Sequence, residues 1–299
     1  MERINGGESV SYRNKMAKAV CMTLFAAALA VCAGGQEARE KSADAVQEAV
    51  FIPQTGLYAG AFTDFDNNQY AVIEDKKELL VASPNPQSGL VEENVFTFLQ
   101  GPKSWGEGRA WSGEWSNEYV NGNYFGNFGC GLCCMANIYS TFTDQVCSPW
   151  DMFEYARQVS GYSPNREIGA IGWADMKVTL RKCGFDTELC NKPETYEEFR
   201  QQIAEAEGAV ILVSSRDDDT YWKNTGGHYV NICLYQEDTD TVFLADPADP
   251  DGNRTYLPLR YAYDALKTVS QYQYLLVHGY SEENNEWKHD GIDEAWAAP

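Results

Sequence analysis

The chain has 299 residues, enough for one large domain or two modest ones. Apolar residues make up 44% and charged residues 22%, a globular composition that excludes a disordered chain. Asp plus Glu number 44 against 23 Lys plus Arg, and the net charge of −21 repels phosphate backbones, so nucleic acid is excluded as a partner.

In chain order, residues 1–33 read as a signal segment. Ala19 to Ala33 (AVCMTLFAAALAVCA) is an apolar run shorter than the roughly 20 residues that span a bilayer. Arg13, Lys15 and Lys18 precede it and Gly34-Gly35 follow, the order of a secretory signal. Met16 is an alternative start. A cut after Ala33 releases a free chain, whereas Leu29-Ala30-Val31-Cys32 resembles a lipoprotein box that would place a lipid on Cys32. The expected location is therefore outside a bacterial cell, secreted or anchored at the outer face of the membrane. The signal or that lipid would be the sole membrane contact.

Residues 34–49 are polar and Ala-rich, a linker. Residues 50–96 carry short β-prone runs between Asn/Asp turns and predict a small β-rich region. Residues 97–280 predict the main domain. Cys130 to Phe142 reads as a helix. Ser148-Pro149-Trp150-Asp151 and Thr195-Tyr196-Glu197-Glu198 are capping boxes that open two more, and Trp173 to Cys183 is another, closed by Gly184. Ala209 to Ser214 (AVILVS) is a continuous apolar run, the pattern of a strand buried on both faces. Strands follow at His228–Tyr235, Val242–Asp246, Thr255–Leu259 and Tyr272–Val277. Helices first and an antiparallel sheet after them predict an α+β fold. Residues 281–299 hold six acids and no apolar period, and predict a loosely attached acidic tail.

Nine cysteines are present, two of them in the signal segment, so seven remain and at least one has no disulfide partner. Cys183 and Cys190 flank a short segment and are candidates for a local bridge or for two free thiols. Cys130 lies between glycines in GNFGCGLCCMANIYS, directly before a helical pattern. That spacing predicts a sulfur at a helix N-terminus, where free N–H groups and the helix dipole favour a thiolate. The glycines predict close approach of a neighbour.

A nucleophilic thiolate wants a general base, and the sequence holds three histidines. His289 lies in the acidic tail and His278 follows the last strand. His228 opens a strand in GGHYVNICLY. If that strand turns near Glu237 and returns as VFLADP, His228 and Asp246 lie opposite one another within a residue or two, close enough for a carboxylate to orient the imidazole. Asp246 alone also fits a turn before Pro247. An oxyanion needs donors as well: the Cys130 backbone N–H, and a side-chain amide from among Gln100, Asn117, Asn121, Asn123 and Asn127.

GCG followed by a small-residue helix, then GHYVNICLY and FLADP, resembles the papain-like cysteine peptidases that process bacteriocin leaders, cysteine peptidase family 39 and its stand-alone relatives. The resemblance covers about Thr97 to Val277. It implies a papain-like fold with a helical part carrying Cys130 packed on a sheet carrying His228 and Asp246, and a cysteine-type peptidase acting on a peptide or protein. It also implies Gln100, in FLQGPKSW, as the oxyanion donor. The chain departs from the pattern in its 30-residue spacing from Gln100 to Cys130 and in Leu132-Cys133, where Pro-Thr or a similar pair is usual.

Other chemistries fit less well. Cys130-Gly131-Leu132-Cys133 lacks the βαβ context of a redox site, and Cys130, Cys133 and Cys134 lack a fourth metal ligand. No metal or cofactor is expected, and the chain is expected to be a monomer. A cell-wall amidase on a related scaffold, or a surface protein without activity, are the competing functions.

Overall fold

The computed structural model describes residues 90–165 and 169–299. The expected signal segment with its Cys32 lipid site, the linker and most of the 50–96 region lie outside them. Among the described residues no helix is long and apolar enough to cross a membrane.

The chain starts with an extended segment, Val95 to Gln100, then a short helix α1 (Pro102–Gly106) and a two-stranded hairpin, β1 (Tyr119–Val120) and β2 (Asn123–Tyr124). One helical turn, α2 (Phe125–Phe128), abuts the long helix α3 (Cys130–Phe142). Helices α4 (Pro149–Ser160) and α5 (Trp173–Lys182) complete the helical part. Ser148 caps α4: its hydroxyl accepts the Asp151 N–H and the Asp151 carboxylate accepts the Ser148 N–H.

Helix α5 ends where Gly184 turns with φ of +89°, which leads into strand β3 (Cys183–Cys190). A side chain at Gly184 would meet the Ser281 carbonyl at 2.5 Å, so only glycine fits. The rest alternates: α6 (Tyr196–Glu205, capped by Thr195 and Glu198), β4 (Gly208–Val213), β5 (His228–Gln236), β6 (Thr241–Ala245), β7 (Thr255–Pro258), α7 (Leu259–Asp264) and β8 (Tyr274–Asn285).

The six longer strands form one antiparallel sheet in the order β3-β8-β4-β5-β6-β7. Helices cover both faces. Val210, Leu212, Leu275 and Val277 join α3, α4 and α5 in one core. Their strand neighbours Ile211, Val213, Tyr274 and Leu276 join Phe199, Ile203 and Ala262 of α6 and α7 in the other. That is why AVILV reads as an unbroken apolar run: alternate residues point to opposite faces, and both faces are dry. The fold is α+β, as expected.

One expectation is corrected. Residues 281–299 do not form a loose tail. Strand β8 runs to Asn285, Trp287 stacks on Tyr155 at 4.5 Å, and Trp296 packs against Phe98 and Trp111. These aromatic rings fill separate sockets, so burial here needs no apolar period. Of the two alternatives left open for Cys183 and Cys190, the structure shows free thiols. They stand at opposite ends of the eight-residue strand β3, too far apart for a disulfide at about 3.3 Å per residue. All seven described cysteines are free thiols.

Candidate active site

His228 is the first residue of β5, and Asp246 follows the last residue of β6. Asn231 pairs with Ala245 and Ile232 with Leu244, so the register lies two residues from direct opposition of His228 and Asp246. The displacement is set at the turn, where Gln236 pairs with Thr241, and a bulge in β5 at Leu234, whose φ is +49°, reduces it by one residue. The two side chains meet diagonally, within the reach of a ring and a carboxylate. His228 Nε2 lies 2.7 Å from Asp246 Oδ1, and both side chains are buried.

Asp246 is held on every side. Its Oδ1 also accepts the N–H groups of Ala248 and Asp249, at 3.0 and 3.2 Å, so the residue caps the turn through Pro247 while it faces the imidazole. Its Oδ2 accepts the Trp222 indole N–H at 2.9 Å, and its own N–H donates to Asn253 Oδ1. Burial would push this carboxylate up, but the His228 charge and hydrogen bond, with the Trp222 and Ala248 donors, hold it below the ordinary 3.8. Burial likewise works against a charged His228. Asp246 outweighs it through its charge and hydrogen bond, aided by a hydrogen bond to Cys130, and His228 is pushed up to about 10.

Cys130 sits at the start of α3 and is 3% exposed. It does not occupy a bare helix end, because α2 precedes it and Gly129 between them has helical angles (φ −74°, ψ −14°). The flanking glycines admit side chains. A Cβ on Gly129 would meet the Phe125 ring at 2.3 Å, and one on Gly131 would meet Ile171 at 2.6 Å. Deeper in α3, burial pushes the Cys133 and Cys134 thiols well above their ordinary value. Both are therefore held as neutral core thiols.

Gln100 comes back beside Cys130 across the intervening loop. Its N–H donates to the Pro247 carbonyl, one residue from Asp246, at 2.8 Å. Its side-chain Nε2 donates to the Gly126 carbonyl, four residues before Cys130, at 2.7 Å. Gln100 is 2% exposed, and its Oε1 has no protein partner. The other candidate amides are engaged or remote. Asn121 and Asn123 donate to Ser163, Pro164 and Asn165, Asn127 donates to Asn123, and Asn117 is exposed. His278 is exposed beside Glu188, and His289 stacks on Trp287 beside Asp151, so neither joins this group.

Trp222 and Asn253 escaped the sequence reading. Trp222 lies in the polar loop DDDTYWKNTGG, where a Tyr-Trp pair just upstream of the histidine was the available signal. Asn253 ties the Asp246 N–H to the Thr97 carbonyl and so links the hairpin to the segment ending in Gln100.

No family model matches the chain, and no curated protein matches it. Among solved structures it is similar to a Bacillus anthracis protein provisionally named a C39-like peptidase. Identity is 13% over 57% of this chain and 98% of that one, with a TM-score of 0.33. A likeness this slight carries no weight for activity, which is read from the side chains alone.

Proposed function

We propose that the chain is an exported cysteine peptidase of papain-like arrangement that hydrolyses peptide bonds through Cys130, His228, Asp246 and Gln100. One observation carries this reading: a single buried imidazole is held by Asp246 at 2.7 Å through Nε2 and also interacts with the Cys130 side chain. Three residues distant in sequence meet in the order nucleophile, base and orienter.

The chemistry follows from those positions. The raised affinity of His228 for a proton favours an imidazolium next to the sulfur, which attacks the substrate carbonyl carbon as a thiolate. The oxyanion that forms accepts from the Cys130 backbone N–H and from Gln100. A primary amide nitrogen carries two hydrogens, and Gly126 takes one of them. His228 then protonates the departing amine, leaving a thioester on Cys130. It next takes a proton from water, which attacks the thioester and releases the acid. Asp246 stays ionised throughout and keeps the ring turned. Export is supported by the basic, apolar and small-residue order of residues 13–35, with free secretion or a lipid on Cys32 as its two outcomes.

The test is mass spectrometry of peptides released from a denatured proteome. Wild type should produce new termini that Cys130→Ala does not. Iodoacetamide should label Cys130 ahead of the other six thiols. Identical peptide sets from the two proteins, with even labelling, would remove the peptidase reading.

A further inference from the structure

The segment ending in Gln100 is extended but belongs to no sheet, so its placement depends on partners elsewhere. Leu99, the residue before Gln100, has both backbone groups engaged by one loop. Its N–H donates to the Trp111 carbonyl at 2.9 Å, and its carbonyl accepts the Trp115 indole N–H at 2.8 Å. Trp111 is buried and has a φ of +70°, a left-handed backbone that a tryptophan adopts only where its surroundings fix it.

What fixes it lies in the segment first read as a loose tail. The Trp111 N–H donates to the Ala297 carbonyl at 2.7 Å, the Ala297 N–H donates to the Ser112 carbonyl at 2.8 Å, and the Glu114 N–H donates to the Ala295 carbonyl at 2.9 Å. Between them the Trp296 ring lies 5.8 Å from Phe98 and 6.0 Å from Trp111. A hydrogen-bonded relay therefore runs from Ala297 through both backbone groups of Trp111 to Leu99, with Gln100 next in the chain.

We infer that residues 295–297 are a positioning strap for the Gln100 amide, and that Trp296 and Ala297 act on catalysis through Gln100 without touching substrate. The inference rests on the peptidase reading for its kinetic effect. An oxyanion donor works only where the oxygen forms, and a misplacement of about 1 Å costs up to 10²-fold in rate. Loosening the strap should therefore lower kcat and leave KM nearly unchanged.

The test uses the full chain carrying Trp296→Ala or Ala297→Pro. The proline removes one N–H and leaves the aromatic packing, so it remains informative if the first variant folds poorly. Each is expected to lower kcat about 10-fold or more with KM little changed, and to add nothing in a Gln100→Ala background. Amide exchange should accelerate at Thr97 to Gln100 and stay unchanged across β5. Full kcat in both variants, a further fall on top of Gln100→Ala, or unchanged exchange at Thr97 to Gln100 would overturn the strap. A wild type without Cys130-dependent turnover would instead overturn the peptidase reading, with the exchange data still deciding whether the strap holds the segment.

Discussion

The two sides of the His228 imidazole are built from different kinds of structure. On the Asp246 side, a hairpin within the sheet brings the groups together, and both carboxylate oxygens are engaged, by the imidazole, an indole and two backbone N–H groups. On the Cys130 side, the partners come from a helix start and from segments outside the sheet. There Gln100 Oε1 and Asn127 Oδ1 are buried without a protein partner. In the proposed peptidase, the base and its orienter would thus be fixed before any substrate arrives, while the oxyanion side keeps polar atoms that a bound backbone could engage. Preorganisation is complete where charge already exists and partial where charge must develop.

Mutations should separate the two sides by size of effect. Removing the shared group, as His228→Ala, should cost most, about 10⁴-fold in peptide turnover, measured under single-turnover conditions. On the sheet side, Asp246→Asn keeps the shape but loses the charge. It should lower kcat about 10³-fold with little change in KM; near-full activity would mean that the hairpin does not orient the ring. On the loop side, Gln100→Ala should cut kcat about 10²–10³-fold with KM nearly constant. Wild-type turnover in that variant would hand the oxyanion role to another donor.

The smallest kinetic effect belongs to Trp222→Phe, which fills the same space without the N–H. It should lower kcat about 10-fold and move the acid limb of the pH profile upward, because Asp246 loses a donor. An unchanged profile would reduce Trp222 to packing. The stability of the pair also has a direction in pH. His228 has its folded pKa raised from 6.5 to about 10, so its contribution is full below 6.5 and fades as pH rises through 10. Asp246 is shifted downward, so its contribution is present above about 3.8 and is lost as pH falls through its lower folded value. Urea unfolding of His228→Gln against wild type should therefore show the widest gap near pH 5–6 and the narrowest above 10. A gap that widens with rising pH would contradict a charged pair.

The sheet side was largely legible in the sequence because its determinants are local. A hairpin of fewer than twenty residues joins His228 to Asp246, and the two-residue offset comes from a turn centred beyond Glu237, which the bulge at Leu234 offsets by only one residue. The capping boxes at Ser148 and Thr195 were legible for the same reason. The loop side was not. The return of Gln100 toward Cys130 follows from the Leu99 bond to Trp111 and the Gln100 bonds to Gly126 and Pro247, three contacts without periodicity. The segment 281–299 reads as polar because its half-buried apolar residues, Trp287, Ile292 and Trp296, pack against the core one at a time instead of sharing one helix or strand face.

The strand order carries a consequence for how the molecule comes into being. Strand β8, the last strand among the described residues, lies between β3 and β4, pairing Phe185 with Tyr280 on one side and Ile211 with Tyr274 on the other. Until residues 274–285 leave the ribosome, β3 has no neighbour and the sheet stops at β4. Pairings so distant in sequence form slowly, and domains close only when their last element is available. A growing chain of this topology can pair β4 through β7, but β3 joins that sheet only once β8 slides into the gap.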